Sequence, residues 1–368
     1  MPTTVIAAVT TAVGAPFTRE ELILDDPQPR EVLIDTRASG LCHSDLSAVT
    51  TDMGFPLPAV YGHEVSGVVR AVGTAVTGLA VGDRAVASLV QFCGECPSCS
   101  AGRTALCRNA HATERAPDQP PRLARPDGTP VWPAFGVGGF ASAVLVHEHQ
   151  VARVPEAIPF PEAAILGCAT ITGVGAATRS ATVRVGDSVA VIGLGGVGLN
   201  VLSGARLAGA ETVIGVDLQP AKLDLARAFG ATHVVDAGAQ DPVAAVQEIT
   251  GGGVDHSFEV IGLPATSLQA IRMTAIGGAA NLIGIHRPGA RLDLDPMELI
   301  GAQRTVRGVF MGSAVVARDV PLYADLFLQD RLNLSDLIAP EISLDHIDAA
   351  CAELASGASA RSVITAFG

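Results

Sequence analysis

The spacing of apolar and polar residues divides the chain into two regions with different predicted structures. Up to about residue 160, short apolar runs bounded by Gly, Pro and Asp predict β-strands, and no helical period is evident. The predicted strands of this region are residues 31–36, 67–72, 84–88 and 143–147. The first third of the chain is therefore expected to form a β-rich domain.

From residue 187 onward, apolar strands alternate with amphipathic helices of roughly ten residues. We predict strands at residues 188–192, 212–216, 233–236, 255–260 and 278–285, and helices at residues 196–207, 220–229 and 242–250. Such alternation is typical of a doubly wound parallel sheet in an α/β fold. The final residues predict a helix followed by a strand, a tail that can return to the first domain.

Composition supports two globular domains and excludes several function classes. The 368 residues are 48% hydrophobic and 17% charged, which excludes a disordered chain. The net charge of −13, without a basic run longer than a pair, disfavours a nucleic-acid partner. Two uncharged, glycine-containing stretches, 163–178 and 188–205, are interpreted as buried strand–turn–helix units, so no membrane partner is expected. No basic residue precedes Arg19, so we expect no export signal and a cytoplasmic protein with reduced thiols.

The strongest chemical signal is a run of four cysteines, Cys93-x2-Cys96-x2-Cys99-x7-Cys107. Clustered thiols in a reducing compartment bind metal more often than they form disulfides. The short spacers let one loop wrap a tetrahedral ion, which predicts a closed, structural zinc site. An iron–sulfur cluster is the main alternative, but the ferredoxin-type run has a three-residue last spacer followed by Pro. Four unconnected thiols are the remaining interpretation.

A glycine-rich turn, Gly193-Leu194-Gly195-Gly196-Val197-Gly198, directly follows an apolar strand and opens a predicted helix. Asp217 lies nineteen residues beyond Gly198, at the end of the next predicted strand. This context is typical of dinucleotide binding, with the pyrophosphate at the helix N-terminus. Asp217 would accept hydrogen bonds from ribose hydroxyls and repel a 2′-phosphate, which predicts NAD rather than NADP. A glycine-rich turn in a domain that binds another ligand is the alternative.

Three cysteines remain, and two of them can contribute to a second metal site. Cys42 and Cys168 could converge with His63 on an ion whose fourth position stays open, a pattern typical of catalytic zinc. This ligand set is already known from alcohol dehydrogenase. Taken singly, each of the three residues is more simply interpreted as a packed core residue.

With these motifs in this order, the sequence resembles the zinc-dependent medium-chain alcohol dehydrogenases over essentially its whole length. The resemblance is carried by the segments GLCHSD (40–45) and GHE (62–64, followed by Gly67 and Gly73), by the four-cysteine run and by the glycine turn. It implies a GroES-like catalytic domain of residues 1–170, completed by 311–368. It also implies a Rossmann NAD-binding domain of residues 171–310.

The resemblance implies roles for individual residues as well. The implied ligands of a catalytic zinc are Cys42, His63 and Cys168, so two zinc ions are expected in each chain. The implied catalytic residues are His43, Ser44, Asp45 and Glu64, where Ser44 contacts the alcohol, Asp45 orients His63 and Glu64 lies behind the metal. The implied coenzyme-binding residues are His43, Gly193, Gly195, Gly196, Val197, Gly198, Asp217, Lys222, Ile285 and Arg361. The implied substrate pocket consists of Met53, Leu89, Ala134, Phe135, Ile285 and Phe310.

The implied activity is zinc-dependent oxidation of a primary alcohol to the aldehyde with NAD. An apolar pocket with the small Ala134 favours an aromatic or allylic alcohol larger than ethanol. Ser47 stands where the best-known family members carry a histidine that passes the proton to solvent, so water or His43 would complete that relay. A non-catalytic NAD-binding protein is disfavoured because all three zinc ligands are present.

A second substrate class is a formaldehyde adduct of a low-molecular-weight thiol. The glutathione-dependent formaldehyde dehydrogenases of this family place an acidic residue near Met53 and an arginine near His111. Neither is evident here, which argues against a glutathione adduct. An adduct of some other thiol remains the alternative.

Residues 112–134 form the only long irregular segment, which dimeric family members retain and short tetrameric members lack. The resemblance therefore implies a homodimer that pairs the edge strands of two Rossmann sheets at residues 304–311. Val306, Val309 and Phe310 make this strand apolar. A monomer whose own C-terminal segment covers the strand is the alternative.

Overall fold

The computed structural model describes residues 3–338, 341–357 and 361–368. The strands are β1 Thr3–Thr10, β2 Thr18–Leu24, β3 Glu31–Gly40, β4 Ala59–Val60, β5 Glu64–Val72, β6 Arg84–Ala87, β7 Leu123–Ala124, β8 Trp132–Pro133, β9 Ala143–His147, β10 Val151–Arg153, β11 Ser188–Ile192, β12 Thr212–Asp217, β13 His233–Asp236, β14 Val254–Glu259, β15 Thr274–Leu282, β16 Thr305–Gly308, β17 Glu341–Ser343 and β18 Val363–Ala366. The α-helices are α1 His43–Thr50, α2 Pro97–Ser100, α3 Phe160–Ile165, α4 Ile171–Gly175, α5 Gly196–Ala208, α6 Pro220–Ala228, α7 Pro242–Thr250, α8 Pro264–Met273, α9 Pro296–Ile300, α10 Val316–Leu328 and α11 Ile347–Ser356. The chain forms two compact units, Met1–Cys168 with Val315–Gly368, and Ala169–Ala314.

The first unit is β-rich, as its sequence predicts. One sheet has the strand order β7-β2-β1-β4-β8, and the other has the order β10-β6-β5-β3-β18-β17, with β9 also paired to β3. The sequence analysis missed β1 and β2 because neither strand alternates cleanly. Four successive residues at the end of β1 are buried, whereas the first four residues of β2 are largely exposed.

The C-terminal segment belongs to this first unit. The predicted helix and strand are α11 and β18, and β18 pairs antiparallel with β3, so that Val363 lies opposite Gly40. This register holds the residues before β18 against the loop that follows β3, where the Leu41 amide donates to the Ser362 carbonyl at 2.9 Å. The end of the chain is thereby tied to the segment that carries Cys42.

The prediction of no helix before residue 160 is wrong, because α1 begins directly after Cys42. Asp45 is the third residue of this helix, and its carboxylate accepts from the Cys42 amide at 3.1 Å, which caps the first turn. The helix has only eight residues, of which Asp45, Ala48 and Val49 are buried. Such a short element with a buried acid shows no apolar period in the sequence.

The second unit is a doubly wound sheet of six parallel strands in the order β13-β12-β11-β14-β15-β16, which confirms the predicted fold class. The predicted strands and helices of this unit lie within one residue of their predicted ends, except the last strand, which was predicted at 278–285 and is β15 at Thr274–Leu282. Helix α8 was missed. The edge strand β16 is shorter than the predicted 304–311, and Val309 beyond it is buried.

The interpretation of residues 163–178 as a strand–turn–helix unit is wrong, because Phe160–Ala181 is helical throughout. Two π-helical turns, Leu166–Thr170 and Ala176–Ala181, interrupt the regular α-helix. This helix is long and apolar enough to cross a membrane, but the 18-residue window with a mean hydropathy of 1.3 is 83% buried inside the protein. Burial on all sides explains why its sequence is apolar without a period.

Candidate active site

Four buried side chains of the first unit meet at one point. Cys42 precedes α1, His63 and Glu64 lie at the start of β5, and Cys168 lies in the π-helical turn Leu166–Thr170. Their ligand atoms all lie within 4.8 Å of one another. The structure therefore brings together the three predicted zinc ligands, although they are far apart in sequence, and it adds the Glu64 carboxylate to the group.

Asp45 fixes the orientation of the His63 ring. One carboxylate oxygen of Asp45 lies 3.0 Å from Nδ1 of His63 and also accepts from the Gly62 amide at 3.0 Å. The other oxygen caps α1 through the Cys42 amide. Nε2 of His63 is buried without a hydrogen-bond partner. A buried nitrogen left without a partner, on a ring held by a carboxylate at its other nitrogen, is the arrangement of a metal-ligating histidine.

These donors fit zinc. Two thiols, an imidazole and a carboxylate are ligands that zinc accepts, and three protein ligands with an exchangeable fourth position are typical of catalytic sites. The hydrogen bond between the Cys168 and Cys42 thiols, together with the charge of Arg361, lowers the pKa of Cys42 well below its usual range. The Cys42 thiolate that a metal requires is thus favoured before any ion binds.

Arg361 is buried beside this group. Its Nη1 donates to the Leu41 carbonyl at 3.1 Å, and its Nη2 lies 3.4 Å from the Glu64 carboxylate. Burial lowers the pKa of Arg361, but the negative charges of Glu64, Cys42 and Cys168 together outweigh burial and raise that pKa overall. The sequence analysis placed Arg361 at the coenzyme pyrophosphate and missed its contact with Glu64. No local signal could have revealed that contact, because it depends on the pairing of β18 with β3.

The other implied catalytic residues lie on α1. The Ser44 hydroxyl is 3.7 Å from the Cys42 sulfur, and the Ser44 side chain is half-buried. His43 is exposed, and Ser47 is half-buried one turn further along the helix. Ser44 is therefore the hydroxyl beside the metal-ligand group, whereas His43 faces solvent.

The four-cysteine run forms a second, separate cluster. Four of its Sγ–Sγ distances are between 3.5 and 4.0 Å, close to the roughly 3.8 Å edge expected for a tetrahedron with Zn–S bonds of about 2.3 Å. Backbone amides of Arg108 and Cys99 help to lower the pKa of Cys96 to about 6. Sulfurs in mutual contact fit one ion, whereas an iron–sulfur cluster binds its cysteines through different irons. The geometry favours zinc over the iron–sulfur alternative.

In the second unit, the glycine turn joins β11 to α5 as predicted. Gly193 has a left-handed φ of 96°, and a Cβ on Gly198 would lie 1.8 Å from the Gly193 carbonyl oxygen, so neither position tolerates a side chain. Asp217 ends β12 and accepts from the Leu194 amide at 2.8 Å. It also accepts from the amides of Leu218 and Gln219 at 2.8 and 3.0 Å. The Asp217 carboxylate thus orders both the turn and the loop that starts α6.

The remaining coenzyme-binding predictions are also in this unit. Gly195 and Val197 are half-buried within the turn and Gly196 is buried. Lys222 is half-buried on α6, and Ile285 is exposed beyond the end of β15. The structure places these residues at the carboxyl edge of the sheet, which is the edge where such folds bind nucleotides.

The residues predicted to line the substrate pocket are divided between the two units. Met53 and Phe135 are half-buried in the first unit, and Leu89 is half-buried as well. Ala134 has no exposed surface and packs in the core of this unit next to Phe135, and its position on a pocket wall stays a prediction. Ile285 and Phe310 belong to the second unit, where both are exposed.

Phe135 belongs to a set of four rings that the sequence analysis did not identify, called here the aromatic cluster: Phe55, Tyr61, Trp132 and Phe135. The Phe135 ring lies 5.0 Å from the His63 ring at an angle of 71°, and Phe55 stacks on Trp132 at 5.2 Å. Only 4% of the chain is aromatic, so four rings beside the candidate ligand His63 are a marked concentration. In the sequence, only the short distance from Phe55 and Tyr61 to His63 could have indicated this cluster.

Comparisons with known proteins agree with this geometry. A family described as alcohol dehydrogenase GroES-like domain matches residues 28–156, and one described as zinc-binding dehydrogenase matches residues 196–329. S-(hydroxymethyl)glutathione dehydrogenase of Paracoccus denitrificans is 35% identical over 372 residues, covering 97% of this chain and 98% of the relative.

Two crystal structures resemble the chain over its length. The alcohol dehydrogenase zinc-binding domain protein from Burkholderia ambifaria has a TM-score of 0.95 and 37% identity, covering 100% of both chains. Benzyl alcohol dehydrogenase from Acinetobacter calcoaceticus has a TM-score of 0.93 and 33% identity, covering 99% of both chains. The chain therefore belongs to the zinc-dependent, NAD-binding medium-chain alcohol dehydrogenase family and is an oxidoreductase with a GroES-like and a Rossmann domain.

Proposed function

We propose that this enzyme oxidises aromatic or allylic primary alcohols to aldehydes with NAD, at a zinc ion held by Cys42, His63 and Cys168. The observation that carries the substrate class is the aromatic cluster beside His63. Reaction in this family moves a hydride from the carbinol carbon to NAD and releases the hydroxyl proton. A flat, apolar substituent on that carbon can contact the three rings of the cluster that are half-buried, Phe55, Trp132 and Phe135.

The backbone at Phe135 supports a dedicated role for its ring. Phe135 has φ 56° and ψ 19°, in the left-handed region that a bulky residue rarely adopts. Such a conformation costs on the order of 1–3 kcal/mol and persists only where surrounding structure enforces it. Here the Val137 amide donates to the Ala134 carbonyl at 3.0 Å and closes the turn. The turn directs the Phe135 ring to His63, and a glycine would adopt it without strain but would supply no ring.

The proposed chemistry uses residues of the first unit in distinct roles. Zinc, when bound, acts as a Lewis acid that lowers the pKa of the substrate hydroxyl. Asp45 holds the His63 ring in place, and Glu64 and Arg361 balance charge behind the ligands. Ser44, beside Cys42, is positioned to relay the hydroxyl proton: its oxygen would accept that proton while its own O–H donates a proton onward. Ser47 cannot act as a base at neutral pH, so the proton passes onward to water or to exposed His43.

We further propose that this enzyme carries a second, structural zinc at its four-cysteine cluster and prefers NAD to NADP because of Asp217. None of the seven cysteines is paired in a disulfide, which agrees with a cytoplasmic location. Pyrophosphate contacts by His43 and Arg361 and an adenosine contact by Lys222 remain part of the proposal.

A homodimer is the proposed assembly. Strand β16 pairs only with β15 among the described strands, so its outer edge is available to a second copy. The C-terminal strand β18 pairs with β3, which leaves the alternative of a self-covered edge without support. Beside β16, the Gly277 amide donates to the Ala302 carbonyl, and the nearby Ile276 and Ile300 are 83% and 66% exposed. Exposed aliphatic side chains next to an open sheet edge are typical of an interface.

The second candidate substrate is a formaldehyde adduct of a low-molecular-weight thiol. It is favoured by the name of the Paracoccus denitrificans relative, S-(hydroxymethyl)glutathione dehydrogenase. Arg115 is a half-buried arginine four residues after His111 in the sequence. Its guanidinium contacts Asp25 and Glu31, each at 2.6 Å. That guanidinium is already engaged within the protein, which disfavours a substrate carboxylate there.

The test is a steady-state comparison of benzyl alcohol with cyclohexylmethanol, which has the same carbon skeleton but no planar ring. We expect the wild-type enzyme to have a higher kcat/KM for benzyl alcohol. Phe135→Leu should reduce that preference about two- to tenfold, the value of one aromatic contact of roughly 0.5–1.5 kcal/mol. Phe17→Leu is the matched control, because Phe17 is half-buried in the same unit but contacts Phe140 instead of the cluster.

Two outcomes would contradict the proposal. A wild-type enzyme that prefers cyclohexylmethanol, or a Phe135→Leu variant with unchanged preference, would remove the aromatic cluster from substrate recognition. Formaldehyde oxidation that requires an added thiol, with no turnover of simple alcohols, would establish the second candidate instead.

A further inference from the structure

Three loops interlock at the carboxyl edge of the Rossmann sheet. A Cβ on Gly193 would lie 2.6 Å from Cγ1 of Ile261, so the glycine turn packs directly on the loop after β14. A Cβ on Gly262 would lie 2.4 Å from the Ile285 carbonyl oxygen, so that same loop packs on the segment after β15. A shift of the loop after β14 would therefore disturb the backbone contact with the segment after β15, whereas the glycine turn meets mainly the Ile261 side chain.

Glu259, the last residue of β14, is the internal anchor of this arrangement. Its side chain is fully buried, and one carboxylate oxygen accepts from the amides of Ile261 and Gly262 at 2.9 and 2.7 Å. The same oxygen accepts from the Thr266 hydroxyl at 2.8 Å. The Glu259 backbone carbonyl accepts from the Ile283 amide at 2.8 Å, which ties in the end of β15. One residue thus holds the loops after both strands.

The remaining carboxylate oxygen of Glu259 is buried without a hydrogen-bond partner. Burying a half-satisfied carboxylate is costly, and a hydrophobic residue would avoid that cost if the position served only the core. Three donors on the other oxygen are charge-assisted hydrogen bonds, which are the stronger kind and give the loop a single defined conformation.

The position of Glu259 relative to Asp217 indicates which part of the coenzyme it serves. Strands β12 and β14 flank β11 on opposite sides, so Asp217 and Glu259 lie on opposite sides of the glycine turn. A dinucleotide bound across the turn with its adenosine ribose at Asp217 must extend past the turn toward β14. The nicotinamide half therefore reaches the loops that Glu259 orders.

We infer that Glu259 is a positioning residue for the nicotinamide half of NAD, acting through the loops at Ile261 and Ile285. The inference rests on the proposed coenzyme site and adds to it a residue outside the predicted set. Glu259 does not touch the coenzyme, because its side chain is fully buried. Its role is to keep both loops in the conformation that accepts the nicotinamide ribose and ring.

The test compares binding of NADH and of AMP, measured by titration, in wild-type protein and variants. Glu259→Ala removes the acceptor, and we expect the dissociation constant of NADH to rise at least about tenfold while that of AMP changes less than about twofold. Glu259→Gln keeps an acceptor oxygen and should restore NADH binding to within about threefold of wild type. Thr266→Val removes one hydrogen-bond donor to Glu259 while Glu259 itself stays in place. We expect the dissociation constant of NADH to rise about two- to fivefold in this variant and that of AMP to stay unchanged.

Ser257→Ala is the matched control for a purely structural effect. Ser257 is fully buried on the same strand, and its hydroxyl donates to the Ala270 carbonyl at 2.7 Å, away from the three loops. We expect unchanged binding of both ligands in this variant. Equal weakening of NADH and AMP in the Glu259 variants, or no weakening, would overturn the inference. Failure of the wild-type protein itself to bind NADH would instead refute the proposed coenzyme site on which the inference rests.

Discussion

Replacing Glu31 with glutamine tests whether a buried charge network holds the long segment between the four-cysteine cluster and the aromatic cluster. Glu31 begins β3, and its side chain is only 4% exposed. Its carboxylate contacts Arg115 and Arg122, each at 2.6 Å. Arg115 also reaches Asp25, and Arg122 donates to the Thr113 carbonyl. Residues from 113 to 122 are thus attached to the β-rich unit through a network of ion pairs centred on the Glu31 carboxylate.

The expected destabilisation is large because two buried guanidinium groups would lose their shared counter-charge. Breaking a buried ion pair by neutralising one partner costs about 3–5 kcal/mol. For a unit of this size, that corresponds to a decrease in Tm of roughly 6–20 °C. An exposed pair provides the control: Arg19 and Asp345 lie 3.3 Å apart with side chains 46% and 57% exposed. Asp345→Asn should cost at most about 1 kcal/mol.

The pH dependence gives a second, independent readout. Burial alone would raise the pKa of Glu31, but the hydrogen bond from Arg115 and the charge of Arg122 hold it below its usual range. A carboxylate whose pKa is depressed by folding contributes its full stability above the unfolded-state pKa of about 4.3 and loses it as the pH falls through the folded value. The difference between wild type and Glu31→Gln should therefore be full at neutral pH and shrink in acid.

Thermal unfolding of wild type, Glu31→Gln and Asp345→Asn between neutral and acid pH measures both effects. A Glu31→Gln variant that unfolds within about 1 kcal/mol of Asp345→Asn would refute the argument that the network is energetically buried. A stability difference that stays constant into acid would show that the loss has another origin than the carboxylate charge.

Other expectations concern the metals, the coenzyme and the acid stability. Cys42→Ser should abolish turnover in a folded protein that retains one zinc per chain. Cys99→Ser should instead impair folding or solubility, because metal-binding energy at such a site is folding energy. Elemental analysis that finds one zinc per chain, or iron, in the wild type would refute the assignment of two zinc ions. Asp217→Ser should raise the ratio of kcat/KM for NADP over NAD while weakening both, since it also removes the acceptor for the Leu194 amide; a wild type that already prefers NADP would contradict the assignment. Burial and the charge of His149 lower the pKa of His147 to about 4, below its unfolded value of about 6.5. The stability of the protein should therefore decrease as the pH falls from about 6.5 to about 4, and His147→Gln should make that decrease smaller in acid unfolding curves. Equal pH dependence in the two proteins would contradict this expectation. Light scattering should give the mass of two chains, and a mass of one or four chains would exclude the proposed dimer.

Local features of the chain were predictable from the sequence because their geometry is decided over a few residues. The thiols of Cys93 and Cys107 can meet on one ion because the loop that joins them is short. The turn at Gly193 and Gly198 could be placed because only glycine tolerates the left-handed backbone and the close approach that it requires. The strands and helices around it were evident because parallel strands buried on both faces read as continuous apolar runs.

Elements whose burial is irregular were not predictable in this way. Helix α1 is too short for a period, and its start depends on a buried acid, Asp45, that also serves His63. The helix around Cys168 is buried on all sides and reads like a strand–turn–helix unit. Its π-helical turn, which places the Cys168 sulfur among the other ligands, has no sequence signature.

The sequence by itself determined the two domain types, the four-cysteine cluster and the glycine turn, and its family resemblance supplied the catalytic ligand set. Only the tertiary structure decided what surrounds those residues. The contact of Arg361 with Glu64 requires β18 to pair with β3, and the aromatic cluster joins residues on either side of the four-cysteine run. The role proposed for Glu259 requires β14 to lie between β11 and β15. The physical reason is the same in each case: a side chain's partners are set by strand pairing and packing between distant segments, which local pattern does not encode.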